Sequence, residues 1–430
     1  MRCSVTHRRD RMTPARRLPE GASLPAGHRP FVAVLAANVI SVAGDSVTQL
    51  GVPWYVLEST GSSARAGVVA FCALLPVAVS AWASGPFIDR VGRRRISIIS
   101  DLACGSSVAA IPLLQIAGVL QFWMLCSLMA LAGLASAPGV TARAVLLPAL
   151  AERAGLRLVR AASLYDGASR CASLVGAAVG GVLIIAVGAS HVLLVDAGTF
   201  GVSAALIAFG LRTLPAARPL SPVPRAGTGR QGSFGESLGF ILRVPLLLGI
   251  CLTSLAAQGL DQGWSSVLLP DDVLTKLGSV LDLGLLETVF AVCALAGALL
   301  YGALGHRWRR RSVFAVAFLI VGAPRFAVAA LTGTVAPLAV MMAVEGLACG
   351  ALNPIRATVV FETVPEHLRS RVISMMTAAG LMAAPFGGLV AGVFVGALGL
   401  STTLLATAGV YLAVTLWPVL SASWRDMDPG

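Results

Sequence analysis

The stretch GPFIDRVGRRR, residues 85–95, places one Asp and four Arg residues between two long apolar runs. The chain around it has 430 residues, of which 57% are hydrophobic and only 12% are charged. A soluble globular protein carries about 25% charged residues, so this chain has too little polar surface to cover a water-soluble body of its size. The composition therefore predicts a protein that crosses a membrane many times.

Twelve apolar runs reach the length that a helix needs to cross a bilayer. They cover residues 31–57, 66–88, 96–117, 122–147, 161–187, 192–211, 246–269, 283–304, 313–331, 336–361, 372–395 and 402–420. The first run is too long for the core of a cleaved signal peptide, so we interpret it as a span. We predict an all-α membrane protein with twelve transmembrane helices.

The distribution of Lys and Arg predicts how these helices are oriented. If the N-terminus is cytoplasmic, the cytoplasmic segments hold 26 of the 32 basic residues, and the opposite loops hold only Arg65 and Lys276. The other four lie within spans, at Arg143, Arg170, Arg325 and Arg356. Cytoplasmic loops are rich in Lys and Arg, so we predict that both termini are cytoplasmic. The net charge of +12 then reflects topology and does not indicate nucleic-acid binding.

Residues 212–245 divide the chain into two related halves. This gap contains RPLSPVPRAGTGRQGS, which predicts a cytoplasmic linker between six-helix bundles at 31–211 and 246–420, with tails at 1–30 and 421–430. A shift of 217 residues places Gly85 on Gly302 and Arg90 on Arg307. The same shift places Arg93 on Arg310 and Arg94 on Arg311. Each half has an even number of spans, so we predict a parallel repeat.

The residue types of the opening stretch suit a tight cytoplasmic turn. Gly85 permits close helix approach, and Gly92 permits a positive φ. Asp89 can cap the third helix or pair with a neighbouring Arg. Arg93–Arg95 anchor the loop on the cytoplasmic side and can meet anionic lipid.

The pattern G-x3-D-R-x-G-R-R-R between the second and third spans resembles the loop motif of the major facilitator superfamily. A degenerate copy, GALGHRWRRR at residues 302–311, has His306 in place of the Asp. The resemblance implies that Asp89 engages Arg143 and helix eleven, and so latches the cytoplasmic side while the carrier faces out. It implies a weaker second gate, formed by Gly302, Arg307, Arg310 and Arg356.

Three further stretches are similar to bacterial drug:proton antiporters of the macrolide-efflux and siderophore-export type. They are TARAVLLPAL at 141–150, LVGAAVGGVLIIAVG at 174–188 and ALNPIRATVVFETVPEHLRSRVIS at 351–374. This resemblance implies a multi-pass protein of the bacterial inner membrane that exports small molecules in exchange for protons.

Ionisable residues inside the spans are candidates for the transport site, because a charge at the bilayer centre costs about 2.5–3.5 kcal/mol on insertion scales. Asp45 and Asp261 lie near the middle of their spans and are the first candidates for proton coupling or cation binding. Their alternative role is a structural hydrogen bond. Glu287 lies in the outer third of its span, where a structural role is favoured.

Other charges within the spans are better explained by pairing. Arg325 and Glu345 can form an ion pair between neighbouring helices, since an unpaired partner would be costly. The alternative is that both belong to the proton-coupling site or the substrate cavity. Asp166 and Arg170 are at i and i+4 and can pair locally. Arg143 and Arg356 can extend to the cytoplasmic interface, although the resemblance assigns Arg143 to the gate. Asp101 and Asp196 lie nearer the span ends and are minor candidates.

The energy source and the function follow from what is present and missing. A Walker A loop needs GxxxxGK[ST], but the sole Lys, Lys276, is followed by Leu277. The eight Cys form no CxxC and the five His form no ligand-spaced pair, so we predict neither a metal nor a cofactor. A membrane enzyme and a sensor are disfavoured, since no acid–base constellation or signalling domain is evident.

We therefore predict a monomeric, proton-coupled exporter of amphipathic drug-like molecules that works by alternating access. The alternatives are an exporter of a specific metabolite, such as a siderophore or self-made antibiotic, and a nutrient uptake carrier.

Overall fold

The computed structural model describes residues 28–212, 234–304 and 310–420, and every regular element in these ranges is helical. The α-helices are α1 Arg29–Thr60, α2 Ser63–Val91, α3 Arg93–Ile116, α4 Phe122–Arg153, α5 Leu158–Val187, α6 Ala189–Gly210, α7 Phe234–Arg243, α8 Pro245–Gly263, α9 Leu269–Asp272, α10 Val280–Leu304, α11 Arg310–Val321, α12 Ala323–Leu331, α13 Val335–Thr363, α14 Glu366–Leu398 and α15 Leu400–Leu420. Two π-helical segments, Trp264–Leu268 and Val273–Leu277, flank α9.

Ten helices within the described ranges are long and apolar enough to cross a membrane. A further apolar helix, Leu400–Leu416, is shorter. The predicted span 246–269 is divided among α8, the π-helical segment Trp264–Leu268 and the start of α9, and is not among these ten helices. The multi-pass architecture is confirmed, whereas the count of twelve and the cytoplasmic termini stay predictions. The predicted linker 212–245 includes a helix, α7.

Pro270 gives a physical reason for the irregular path after α8. A proline inside a helix removes one N–H donor and clashes with the carbonyl four residues earlier, here that of Ser266. In this region backbone hydrogen bonds span five residues instead of four. The Leu269 N–H donates to the Trp264 carbonyl, and the Gly278 N–H donates to the Val273 carbonyl at 2.8 Å. Helical structure thus continues to Leu277, beyond the predicted span.

Glycines with positive φ mark the sharp connections between helices and define two ends of the molecule. The turns at Gly61, Gly188, Gly278 and Gly399 lie at one end, which we call the Gly61 end. The opposite end, called the Gly92 end, carries the α2–α3 turn, where Gly92 has φ +94° and confirms the expected conformation. Asp89 belongs to the last turn of α2 and the N-cap residue of α3 is Gly92, so Asp89 is not the N-cap of α3. The alternative, that Asp89 pairs with a neighbouring Arg, stays a prediction.

The two halves pack together close to the Gly61 end. Here α2 lies against α14 and α5 lies against α10. A Cβ on Gly392 would lie 3.1 Å from the Cα of Gly67, and a Cβ on Gly181 would lie 3.3 Å from the Cα of Gly284. Glycine permits such close backbone approach between helices in a membrane. The structure is therefore closed at the Gly61 end.

Gly67→Leu is expected to lower the unfolding midpoint of the purified protein in detergent. A Cβ at this position would lie 2.5 Å from the carbonyl oxygen of Gly388, and overpacking of this kind costs about 1–3 kcal/mol. Gly198→Leu is the matched control, because Gly198 is an exposed helical glycine with open space around it. Equal midpoints for the two variants would contradict the need for glycine at the α2–α14 contact.

Candidate functional site

The N-terminal half buries an ion pair between α3 and α4. The guanidinium of Arg143 donates to the carboxylate of Asp101 at 2.8 Å, and both side chains are only 2% exposed. The hydroxyl of Ser203, on α6, donates to the same carboxylate at 2.7 Å. Arg143 also approaches the hydroxyl of Ser41 on α1 at 3.5 Å. These four residues, here called the Arg143 cluster, connect four helices.

The position of Arg143 corrects its interpretation as a residue that extends to the membrane surface. The predicted span ended at residue 147, but α4 continues to Arg153, so Arg143 lies inside the helix and faces the bundle. Gly139, one turn earlier, leaves room for this contact, since a Cβ there would lie 2.7 Å from the Cβ of Ser100. Asp101, a minor candidate in the sequence, is the main partner of Arg143.

A second polar layer lies on the same helices nearer the Gly61 end. The carboxylate of Asp196, on α6, accepts hydrogen bonds from the hydroxyls of Thr48 on α1 and of Thr199, the latter at 3.1 Å. Gly44 brings α1 and α6 together here, since a Cβ at Gly44 would overlap both Asp196 and Thr199. Asp196 was only a minor candidate in the sequence, yet its side chain is buried and hydrogen-bonded.

Asp45 lies between the Arg143 cluster and Asp196. Ser41, Asp45 and Thr48 follow each other at i, i+4 and i+7, so they share one face of α1. Ser41 belongs to the Arg143 cluster and Thr48 contacts Asp196, and these layers are about 10 Å apart along a helix axis. Within the part of the chain that the structure describes, the half-buried Asp45 makes no hydrogen bond or ion pair. Its carboxylate is available to a proton or a bound cation.

The C-terminal half holds a three-residue ion cluster centred on Arg325 of α12. One guanidinium nitrogen donates to the carboxylate of Glu345 on α13 at 2.5 Å, which confirms the predicted pair. The other donates to Asp261 on α8, a partner that the sequence did not reveal. Arg325 and Glu345 are buried, whereas the Asp261 side chain is 39% exposed. Asp261 is therefore the accessible member of the cluster.

Aromatic rings surround the Arg325 guanidinium. It lies 4.7 Å from the ring centroid of Phe326, 5.3 Å from that of Trp264 and 5.6 Å from that of Tyr411. The Tyr411 hydroxyl donates to Asp261 at 3.3 Å. Ring faces attract a cation, so these contacts stabilise the buried positive charge together with the two carboxylates.

Among the described residues, each half thus combines one buried Arg with an excess of nearby acidic residues. Asp45, Asp101 and Asp196 accompany Arg143, whereas Asp261, Glu345 and Glu287 accompany Arg325. Glu287 is half-buried on α10, within range of the charge of Arg325. A formal negative excess inside a membrane protein favours protonation or cation binding, because isolated charges are costly there.

Two further charged residues within the predicted spans, Arg170 and Arg356, make different contacts. Asp166 and Arg170 form the expected i, i+4 pair at 3.1 Å, with side chains that are 70% and 66% exposed. Arg356 is half-buried and donates to the Ser254 hydroxyl of α8 at 3.1 Å. Its environment thus includes a neighbouring helix of the same half.

The gate residues are described only in part. Arg90 is exposed, Arg93 is half-buried, and Arg94 donates to the Ala208 carbonyl of α6 at 2.7 Å. Gly85 and Gly302 both face open space. The side chains of Asp89 and Arg310, and the whole of His306 and Arg307, lie outside the described residues, so the predicted Asp89–Arg143 contact stays a prediction.

The helical architecture and the buried charges define a multi-pass membrane transporter. The sequence model described as Major Facilitator Superfamily matches residues 34–263 and 254–429. This chain belongs to the major facilitator superfamily, whose members are transporters and not enzymes. It lies in a bacterial inner membrane.

Relatives confirm the resemblance to drug and siderophore exporters. The chain is 32% identical over 402 residues to the multidrug efflux pump Tap of Mycolicibacterium fortuitum, covering 93% of this chain and 97% of that protein. It is 26% identical over 395 residues to the enterobactin exporter EntS of Citrobacter koseri, covering 90% and 89%. The crystal structure of the nucleoside transporter NupG superimposes with a TM-score of 0.72 at 15% identity, covering 93% and 98%, which shows the shared fold.

Arg143→Met is expected to lower the free energy of unfolding by about 3–5 kcal/mol, because it leaves the buried Asp101 carboxylate without its cation. The double variant Arg143→Met/Asp101→Leu is expected to recover most of this loss. Thermal unfolding in detergent measures both variants. Arg170→Met is the surface control and should change stability by at most about 1 kcal/mol. A double variant as unstable as Arg143→Met alone would contradict the ion-pair explanation.

Proposed function

We propose that this protein is a secondary active transporter that exports amphipathic, drug-like molecules in exchange for protons. Two six-helix bundles, residues 31–211 and 246–420, alternate access to a shared cavity. The topology is twelve spans with both termini in the cytoplasm, which makes the Gly61 end the outer end. The excess of Arg in the segments at the Gly92 end supports this orientation.

The observation that carries the proposal is the position of Asp45. Its carboxylate lies between two polar layers whose own acids, Asp101 and Asp196, already hold hydrogen-bond donors. Asp45 has no such donor within the described chain, so a proton is the simplest way to neutralise it inside the bundle. Loading from the outer side and release to the cytoplasm would couple the proton gradient to export. Asp261, the exposed member of the Arg325 cluster, is the second coupling candidate.

The motif around Asp89 belongs to the same proposal as a latch at the cytoplasmic end. Gly85, Asp89 and Arg90 would engage α4 and α14 when that end closes. The Gly61 end is closed in this structure, and Arg143 bonds to Asp101. An Asp89–Arg143 contact would therefore belong to the opposite state of the cycle.

The substrate class rests on the relatives and on the apolar character of the helices. Tap is named a multidrug efflux pump and aligns with nearly the whole chain, which supports export of several amphipathic compounds. EntS is named an enterobactin exporter, and this likeness supports export of one specific metabolite as the second candidate.

Asp45→Asn is expected to abolish substrate-driven proton movement while the protein still reaches the membrane. Asn keeps the size of the side chain but cannot exchange a proton. The measurement is the internal pH of proteoliposomes after substrate addition. Asp166→Asn is the control, because Asp166 is an exposed carboxylate on α5, and it should behave as wild type. Full proton movement in Asp45→Asn would show that another residue couples proton movement to transport. Asp261→Asn would then be the next variant to measure.

Cells that express the protein are expected to accumulate less of several cationic and neutral amphipathic dyes than cells without it. An apolar cavity selects weakly among such compounds, so the reduction should extend across chemical types. Dye fluorescence in de-energised and energised cells measures the effect. Unchanged accumulation of every dye, with export of a single siderophore, would favour the second candidate.

A further inference from the structure

The closure at the Gly61 end includes a hydrogen bond between the two halves. The hydroxyl of Ser63, the first residue of α2, donates to the buried carboxylate of Asp271 on α9 at 2.7 Å. The other side-chain hydrogen bonds described above stay within one half. A donor to a charged acceptor forms one of the stronger hydrogen bonds in proteins. This bond therefore joins the halves by direct polar contact as well as by packing.

The segment that carries Asp271 is anchored to the C-terminal half. The Lys276 ammonium group pairs with the Asp272 carboxylate at 2.7 Å and also donates to the backbone carbonyls of Ala329 and Thr332. These carbonyls end α12, where backbone acceptors lack helical partners and a cation is favourable. Lys276 attaches the segment that carries Asp271 to α12. The hydrogen bond from Ser63 therefore connects α2 to α9 and, through Lys276, to α12.

The same stretch of helix connects Asp271 to the Arg325 cluster. Asp261 lies in the last turn of α8, just before the first π-helical segment. Trp264 in that segment packs edge-to-face on Phe326, with ring centroids 5.1 Å apart. The π-helical segments lie on both sides of Asp271, and such irregular turns are common where helices perform a function. One irregular helical stretch thus runs from Asp261 to the Gly61 end.

We propose that Ser63 and Asp271 are outer-gate residues of the transport cycle, and that Lys276 and Asp272 position them. Their hydrogen bond holds the Gly61 end closed and breaks when the halves separate there. The bond thus sets the balance between the closed and open outer states. The inference rests on the proposed transport cycle, but it concerns an equilibrium that exists without substrate or a proton gradient.

The test measures the distance between the outer ends of the two halves. Spin labels are attached to His191→Cys and Ser401→Cys, two exposed positions at the starts of α6 and α15, in a chain whose native cysteines are replaced. Double electron–electron resonance on the full chain in lipid nanodiscs gives the populations of short and long distances. We expect the short distance to dominate when the Ser63 hydroxyl is present.

Ser63→Ala is expected to raise the ratio of long to short distances roughly tenfold, the size of effect that loss of a hydrogen bond to a charged group produces. Ser63→Thr keeps the hydroxyl and should retain the original ratio. Lys276→Met should also raise the ratio, since it frees the Asp271 segment from α12. Ser59→Ala is the matched control, because Ser59 is an exposed serine at the same end that bonds only to its own helix.

The exchange variant Ser63→Asp/Asp271→Ser separates the hydrogen bond from other effects. It restores a hydroxyl–carboxylate pair with donor and acceptor on opposite halves, and should return the ratio towards wild type. The proposal is overturned if Ser63→Ala matches Ser59→Ala, or if the exchange variant stays as open as Ser63→Ala. If the wild-type protein shows no proton-coupled export, the proposed function is refuted. The distance measurement would still decide whether Ser63 and Asp271 hold the Gly61 end closed.

Discussion

The burial of two guanidinium groups away from water is the constraint on which the rest of this structure depends. A buried charge that loses its partner is strongly destabilising, so each Arg must lie opposite a carboxylate on another helix. Arg143 meets this need with Asp101, and Arg325 meets it with Glu345 and Asp261. These contacts limit how the helices of each half can rotate and slide. They also form a polar interior that apolar side chains enclose.

Contact between the halves obeys a different rule. Lipid offers helices an apolar environment as good as another apolar helix, so association depends on close packing and on polar contacts. The glycine approaches of α2 to α14 and of α5 to α10 supply the first, and the Ser63–Asp271 bond supplies the second. Apolar side chains of both halves, among them the edge-to-face pair of Phe71 and Phe386, complete the contact.

The acidic excess in each half relates this architecture to transport. The carboxylates of Asp101 and Glu345 are buried against Arg143 and Arg325, whereas Asp45 is half-buried and the Asp261 side chain is partly exposed, which is why we propose these two residues for proton coupling. Both lie at similar depth in the first helix of their half, as expected for a parallel repeat. The partners are not equivalent, however, since Asp45 has no ion pair in the described chain whereas Asp261 binds Arg325 and Tyr411. Within the predicted repeat, the two residues thus share a position but differ in their contacts.

The sequence by itself determined the membrane class, the family motif and which charges lie within spans, because composition and hydropathy act locally along the chain. The Asp166–Arg170 pair could be predicted for the same reason, because its two residues lie about one helical turn apart. Only the tertiary structure decided that Arg143 pairs with Asp101, that Asp261 joins Arg325 and Glu345, and that Ser63 reaches Asp271. These partners lie on different helices, far apart in sequence. Their meeting depends on the rotation and relative depth of whole helices, which no local pattern encodes.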